Sequence, residues 1–287
     1  LLIAVNQLDL ERAATVDEQL ADQTDRDEFW AFLVHARAQY ALHTGTAADV
    51  LGAIDVGRKT YAFRLQEDSL GAALLAATEV DLLLALGRGT LARVVLTGPH
   101  RGHRLLRVGQ ARLHLLAGEN ELALGLTVDG VWERSVSQRD RVAMLLIRAV
   151  AADRIGETEI ATDALMRAVD EATAGSMWRP FLTVPRADLA HLVARSDQAR
   201  AILSDSPIAH HGALFPHTIG LVTLTERERL VLLDLAEGLS VPEICAKYVL
   251  SYNTVRTQQR SLYKKLGTSS KVTAIARARE LGLLPNE

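Results

Sequence analysis

A short segment near the carboxyl end has cationic side chains spaced so that they share one face of a helix. Within Thr254–Leu266 the apolar residues Val255, Leu262 and Leu266 follow the i, i+7, i+11 spacing of a single helical face. At about 100° per residue, four other side chains fall together on a different face. These are Arg256, Thr257, Arg260 and Lys264. One side of such a helix can pack on a core while the other presents three cations, and an arginine there can donate to two guanine acceptors at once.

The segments before this helix contain residues that begin and end helices. Thr225 with Glu228 predicts a capping box at the start of a first helix, which ends at Gly238. Ser240 with Glu243 predicts a second capping box, which opens a helix of barely two turns. The cationic helix therefore follows a short, capped helix at close spacing.

A tight turn and a fourth helix complete this pattern. Leu250 and Ser251 are expected to form the turn, and Ser251 or Asn253 can cap the cationic helix, which ends at Gly267. A fourth helix is predicted from about Ser270 to Leu281. A charge run is most often the solvated face of a surface helix. The two capping boxes and the turn, at this spacing, instead favour a helix-turn-helix whose second helix enters the DNA major groove.

The charge distribution agrees with this interpretation. The whole chain of 287 residues has a net charge of −3. Residues 224–282 nevertheless carry 10 Lys and Arg against 6 Asp and Glu, whereas residues 1–223 carry 22 against 28. A small basic module on a larger acidic body is expected when only one part of a protein contacts phosphate.

The segment from Leu224 to Leu284 closely resembles the LuxR/GerE-type helix-turn-helix domain of bacterial transcription regulators. The resemblance rests on five motifs that cover the whole domain. They are LTERE at Leu224–Glu228, GLS-x-x-EI at Gly238–Ile244, S-x-x-TVR at Ser251–Arg256, LYKKLG at Leu262–Gly267 and AIARARELGLL at Ala274–Leu284.

This resemblance implies double-stranded DNA as the partner and a role for particular residues. Base contacts are implied at Arg256, Thr257 and Arg260. Contacts to the DNA backbone are implied at Ser240, Lys247, Ser251, Asn253, Thr254, Lys264 and Lys265. The final helix is where many members dimerise, so a homodimer is expected at least on DNA.

The sequence departs from the family pattern at four positions. Gln258 stands where His is usual, and Tyr248 where Leu is usual. Cys245 replaces the usual Ala, and we expect a small, buried, structural thiol there rather than a redox sensor. Gln259 replaces the usual Val or Leu. Its side chain lies either at the edge of the core or in an additional DNA contact.

The first 204 residues predict an all-α array. Successive amphipathic segments are separated by short breaks, and sustained alternation typical of strands is lacking. Four predicted helices end alike, at Gly45, Gly87, Gly118 and Gly156, and spacings of 42, 31 and 38 residues lie close to those of tetratricopeptide repeats. The irregular period leaves two alternatives, a tetratricopeptide-like stack or a generic helical bundle. Residues 205–222 lack a helical period and are expected to be an interdomain linker.

Helical repeats before such a domain resemble the carboxyl-terminal half of the large ATP-binding LuxR (MalT-like) regulators. The segment Met177–Leu182 is similar to an R-x-F-L stretch in that group. The resemblance implies that the repeats sense an unknown small-molecule or protein effector. Five aromatic residues are candidates to line a groove, although such residues more often belong to a core: Trp30, Tyr40, Tyr61, Trp132 and Trp178.

Other function classes find little support in the sequence. No phosphate-binding G-x-x-x-x-G-K-[ST] motif and no nucleophile motif occurs, so the chain is not expected to be an enzyme or to need a cofactor. An ATPase could lie upstream, since the chain begins at Leu1 rather than Met. Three linker histidines, with neither Cys nor carboxylate at ligand spacing, are expected to be solvated rather than metal-bound: His210, His211 and His217. A single Cys and the lack of a membrane-length apolar run predict a cytoplasmic location.

The predicted function is therefore a sequence-specific transcription regulator, controlled by its helical repeats. The alternative is a helical-repeat interaction scaffold whose carboxyl-terminal module does not read DNA.

Overall fold

The computed structural model of the chain describes residues 1–21, 29–60, 69–128 and 137–284. Every regular element within these ranges is helical, which confirms the predicted all-α class. The chain divides into two compact units, Leu1–Ile219 and Gly220–Glu287.

The first unit is a series of helix pairs. Counted along the chain, each odd-numbered helix packs against the helix that follows it, and successive odd-numbered helices also contact one another. This is the contact pattern of stacked helical hairpins. The helices are α1 (Leu2–Gln7), α2 (Leu10–Ala21), α3 (Trp30–Thr44), α4 (Ala47–Thr60), α5 (Leu70–Ala85), α6 (Gly89–Thr97), α7 (Arg107–Leu116), α8 (Asn120–Leu126), α9 (Gln138–Arg154), α10 (Thr158–Gly175), α11 (Arg186–Ala194) and α12 (Asp197–Ser204).

The internal repeat in the sequence corresponds to the ends of these pairs' first helices. Gly45, Gly87, Gly118 and Gly156 follow α3, α5, α7 and α9, and each has a left-handed backbone with φ between 71° and 86°. Glycine adopts this conformation without steric cost, which is why it recurs where a helix must stop. Each repeated glycine therefore ends the first helix of a hairpin.

The main core of the first unit is built around α9. From Val142 to Ala152 nearly every residue of this helix is buried, and α10 packs against it through Ala161, Ala164 and Ala168. Small side chains let the two helix axes approach closely, so dispersion contacts are dense along the pair. Helices α5 and α7 also approach closely, because α7 has a glycine at the contact. A Cβ at Gly109 would lie only 2.7 Å from Val80 Cγ1.

The segment predicted as a linker packs within the first unit as far as Ile219. The backbone N–H of Leu214 donates to the carbonyl of Leu182 over 2.8 Å, and that of Ile219 donates to Leu116 over 2.9 Å. The side chains of Phe215 and Ile219 are buried, and Phe215 lies under the guanidinium of Arg112. These apolar side chains and backbone bonds anchor the segment, although it has no helical period.

The second unit consists of four helices around one small core. They are α13 (Glu226–Ala236), α14 (Val241–Tyr248), α15 (Tyr252–Leu266) and α16 (Lys271–Glu280). Every helix contributes to that core, which includes Leu232, Ile244, Val255, Leu262 and Ala274. The four predicted helices and their order are confirmed. The cationic helix begins two residues earlier than predicted, at Tyr252, because Ser251 is the residue that caps it.

The described residues contain neither a membrane-spanning helix nor a cluster of metal-ligating side chains. No helix within them is both long enough and apolar enough to cross a membrane. No group of three or more His, Cys, Asp or Glu side chains within the same ranges could hold a metal ion.

The turn between α14 and α15 begins one residue earlier than predicted, at Val249. This residue has φ 54° and ψ 46°, and 92% of its surface is exposed. A β-branched residue in the left-handed region is strained, and here no burial compensates for the strain.

We therefore predict that Val249→Gly stabilises the second unit by about 1 kcal/mol, because glycine adopts this conformation without strain. The measurement is urea unfolding followed through the methyl NMR signals of Val255 and Leu262, both fully buried in this unit. Val272→Gly is the matched control, since Val272 is also exposed but lies within α16. The control should destabilise the unit. A Val249→Gly variant that is no more stable than the wild type would contradict the strain at Val249.

Candidate nucleic-acid interface

Helix α15 has two distinct faces. Val255, Leu262 and Leu266 are buried in the core of the second unit, as their spacing predicts. On the outer side, Arg256 is half-buried and Arg260 is exposed. Thr257 and Lys264 are also exposed on this helix. The structure thus brings the predicted base contacts to the surface of one helix.

The start of α15 is defined by local hydrogen bonds. The Ser251 hydroxyl accepts from the backbone N–H of Thr254 over 3.2 Å and lies 2.9 Å from the Thr254 hydroxyl. In the preceding helix, the Glu243 carboxylate accepts from the backbone N–H of Ser240 over 2.7 Å and from its hydroxyl over 2.6 Å. Ser240, Ser251 and Asn253 are exposed and Thr254 is half-buried, so these predicted backbone contacts lie near the amino-terminal ends of α14 and α15.

The three predicted base contacts differ in their surroundings. Arg260 has no hydrogen bond or ion pair with any other described residue, so its guanidinium can take any partner within reach. Thr257 donates its hydroxyl to the carbonyl of Asn253 over 2.8 Å, which leaves its methyl group and a lone pair. Arg256 donates through Nη1 to Oε1 of Gln259 over 2.9 Å.

Gln259 lies at the edge of the core, the first of the two alternatives that its position left open. It is 6% exposed, and its Nε2 donates to the Tyr263 hydroxyl over 2.9 Å. Its amide therefore joins Arg256 to Tyr263 along one side of α15. A Val or Leu at this position would leave Arg256 without that acceptor.

Two of the three lysines predicted to contact the DNA backbone have internal carboxylate partners. Lys247 Nζ lies 2.6 Å from Oδ1 of Asp234, whose side chain is 2% exposed. That hydrogen bond raises the pKa of Lys247. Lys265 Nζ lies 2.6 Å from Oε2 of Glu228, whose side chain is 3% exposed. By contrast, Lys264 is exposed and has no such partner in the described part of the chain.

Glu228 is the most connected side chain of the second unit. Its carboxylate accepts from the backbone N–H of Thr225 over 2.7 Å, from the Ser261 hydroxyl over 2.6 Å and from Lys265. Burial by itself would raise the pKa of Glu228, but these hydrogen bonds outweigh burial and lower the pKa to about 2. The capping box identified Glu228 as the end of a helix, whereas its link to α15 has no local sequence signal.

The turn and the helix after it also expose apolar surface that sequence reasoning missed. Val249, Leu250 and Tyr252 are 92%, 37% and 56% exposed, and they directly precede the cationic face of α15. Apolar side chains at this place can contact a thymine methyl group. Cys245, predicted to be buried, is half-buried and packs at the margin of the same core.

The aromatic residues proposed for a groove in the first unit divide into three groups. Trp30 and Tyr40 line a cavity of about 560 Å³ bounded by α2, α3 and α4. Trp178 is partly buried, and it packs on Phe181 and against the main core rather than in this cavity. Tyr61 and Trp132 lie outside the described residues.

Comparison with known proteins identifies the second unit. Residues 222–278 match the GerE model, described as bacterial regulatory proteins of the luxR family, and they form a helix-turn-helix domain of that type. A stretch of 61 residues is 43% identical to a protein described as "Probable transcriptional regulatory protein NarL" in two strains of Mycobacterium tuberculosis. This stretch covers 21% of the chain and 28% of each relative. No solved structure gives a match.

We predict that Glu228→Gln lowers the stability of the second unit by about 2–3 kcal/mol at neutral pH, because a neutral amide replaces the buried carboxylate that accepts from Thr225, Ser261 and Lys265. The folded pKa of Glu228 lies below the unfolded value near 4.5, so its contribution is fully present above pH 4.5. The contribution is lost as the pH falls toward 2. The difference between wild type and variant should therefore shrink over that interval, in urea titrations read by methyl NMR.

The control for this experiment is Glu226→Gln, because Glu226 lies in the same first turn of α13 but is exposed. It should change stability by less than about 0.5 kcal/mol. A gap between wild type and Glu228→Gln that stayed constant from pH 6 to pH 2 would contradict the role of ionised Glu228.

Proposed function

We propose that this protein is a sequence-specific, DNA-binding transcription regulator whose second unit reads the major groove with α15. The observation that carries the proposal is the division of α15 into a buried apolar face and an outer face inside a luxR-type helix-turn-helix domain. That outer face includes Arg260 and Lys264, two cationic side chains that have no partner among the described residues. The Mycobacterium tuberculosis relatives described as transcriptional regulatory proteins support the same role.

The proposed contacts divide into two groups by chemistry. Arg256, Thr257 and Arg260 contact base edges, where a bidentate arginine distinguishes guanine from other bases by about 1–3 kcal/mol. Seven further residues hold the sugar-phosphate backbone: Ser240, Lys247, Ser251, Asn253, Thr254, Lys264 and Lys265. Lys247 and Lys265 contribute less charge to that surface than Lys264, because each is already paired with a buried carboxylate. The protein binds DNA as a homodimer through α16, which places two recognition helices on a two-fold related site.

We further propose that the first unit is a tetratricopeptide-like sensor of the kind found in MalT-like regulators. Its stacked helix pairs support this proposal, as does the cavity of about 560 Å³ that Trp30 and Tyr40 line at α2–α4. An effector or partner bound by the helical array would control the DNA-binding unit. The boundary between sensor and DNA-binding region lies in the 205–222 segment.

Replacing Arg256 and Arg260 by Ala should abolish sequence selection. Each substitution is expected to weaken specific binding by about 1–3 kcal/mol and to relax specificity at the base pair which that side chain reads. The measurement begins with enrichment of wild-type binding sites from random DNA, followed by affinity measurements for all variants at fixed salt. Arg227→Ala is the matched control, since Arg227 is an exposed arginine on α13 that belongs neither to the proposed DNA contacts nor to the proposed dimer helix. Equal selection by all variants would refute the proposal.

Neighbouring lysines on α15 provide a second test. Lys264→Ala should lower the slope of log K against log salt by about 1. It should leave stability nearly unchanged, because Lys264 is exposed and has no carboxylate partner among the described residues. Lys265→Ala should change the slope less but destabilise the unit by about 1–3 kcal/mol, because Glu228 is buried. The opposite ranking of the two slopes would contradict the assignment of Lys264 as the stronger phosphate contact.

A further inference from the structure

The first unit contains a narrow cavity at the centre of its stacked helices. Its walls come from α3, α5, α7 and α9 and from the turn of 3-10 helix at Arg179–Thr183. The space open to the centre of a water molecule is about 40 Å³, which is room for roughly three waters or a molecule of a few heavy atoms. A ligand here would contact the first helix of four successive pairs.

Two of the three arginines that line the cavity are paired with carboxylates. Arg112 Nη1 lies 2.5 Å from Oδ1 of Asp81, and Arg139 Nη2 lies 3.0 Å from Oδ1 of Asp140. The guanidinium of Arg112 also lies over the ring of Phe215, with 4.7 Å between its Cζ and the ring centroid. These two pairs are electrically balanced.

The histidines near the cavity add no charge. Thr78 donates its hydroxyl to the carbonyl of Leu74, so its oxygen must accept from Nδ1 of His35, which lies 2.8 Å away. The other ring nitrogen of His35 then accepts from Arg139 over 3.4 Å. Burial and the nearby Arg139 lower the pKa of His35 to about 4, and burial lowers the pKa of His43 to about 3. Both rings are neutral at physiological pH.

The third arginine, Arg179, has no counterion among the described residues. It is 4% exposed, and its Nε and Nη2 are buried without a hydrogen-bond partner in the same ranges. Burial, with a contribution from Arg139, lowers the pKa of Arg179 to about 9, so the guanidinium remains charged at neutral pH. Gln39, which is 1% exposed, lines the same cavity, and both polar atoms of its amide are also unpartnered. One positive charge, one donor and one acceptor therefore meet at this cavity unsatisfied.

We propose that this cavity binds a small monocarboxylate anion, with its carboxylate paired to Arg179 and its remaining polar atoms facing Gln39. A carboxylate matches the planar fork of a guanidinium and supplies the one negative charge that balances three arginines against Asp81 and Asp140. A phosphate dianion would bring a second charge that no group in the cavity balances, and a larger tetrahedral body. The size of the cavity limits the ligand to roughly three to five non-hydrogen atoms.

The walls of this cavity also hold the chain that leads into the second unit. Phe215 lies under Arg112, and the backbone of Leu214 is bonded to Leu182 in the same turn as Arg179. A carboxylate that draws Arg179 toward itself would change the environment of this segment. The role of the cavity as the effector site of a regulator rests on the proposed function. Its binding of an anion does not.

Thermal unfolding of the full chain tests the proposal. Tryptophan fluorescence reports the first unit alone, because Trp30, Trp132 and Trp178 all precede residue 220. Sodium formate, acetate and glycolate are each titrated at constant ionic strength against sodium chloride, with inorganic phosphate as the tetrahedral comparison. At least one carboxylate should raise the midpoint saturably, by about 3–6 °C at ten times its dissociation constant. Phosphate should give no saturable rise.

Variants distinguish an arginine that binds the carboxylate from one that has only a structural role. Arg179→Met should lose the carboxylate response without a lower midpoint in the absence of carboxylate, because it removes an unbalanced buried charge. Arg179→Lys should keep a weaker response. The control Arg101→Met removes an exposed arginine elsewhere in the unit and should respond like the wild type. An unresponsive wild type, a phosphate-specific response, or an Arg179→Met variant that responds normally would each overturn the proposal.

A final arm distinguishes failure of this inference from failure of the proposed function. The Arg256→Ala, Arg260→Ala double variant, which is not expected to read DNA, should show the same carboxylate response as the wild type. A wild-type chain that gave the carboxylate response but bound no specific DNA would refute the regulator and leave the anion site standing. A wild-type chain that bound specific DNA without a carboxylate response would do the reverse.

Discussion

Two buried carboxylates on α13 hold the helix-turn-helix together. Glu228 accepts hydrogen bonds from Ser261 and Lys265 and so ties α15 to α13, while Asp234 pairs with Lys247 and ties α14 to the same helix. A buried carboxylate without partners would be strongly destabilising, so each of these contacts constrains where the partner helix can lie. The direction in which α15 presents its cations depends on these two side chains as much as on the apolar core.

The first unit has the opposite electrostatic character at its centre. There three arginines line one cavity, and Arg112 and Arg139 are paired with carboxylates. The buried Arg179 has no such partner among the described residues, which is costly unless another anion is bound. In both units a buried charge needs a partner of opposite charge. In the second unit this need fixes the positions of the helices, and in the first unit it creates an affinity for an anion.

Helix identity was predictable where the signals are local. The capping box at Thr225 and Glu228, the stop at Gly267 and the repeated glycines after α3, α5, α7 and α9 all act within one helical turn. Local pattern is a poorer guide where packing competes with it. The segment 205–219 has no periodicity, yet it packs within the first unit because Phe215 and Ile219 bury their side chains there. Val249 adopts a left-handed conformation that its residue type disfavours.

The sequence by itself determined the four capped helices of the second unit and the cationic face of α15, because periodicity and capping depend on neighbours a few residues away. Only the tertiary structure decided which lysines are paired with a carboxylate. Lys247 and Lys265 find carboxylates 13 and 37 residues distant, whereas Lys264 finds none among the described residues. The role of Gln259 and the isolation of Arg179 were likewise settled by packing, since a side chain's partners depend on helices that meet only after the chain has folded.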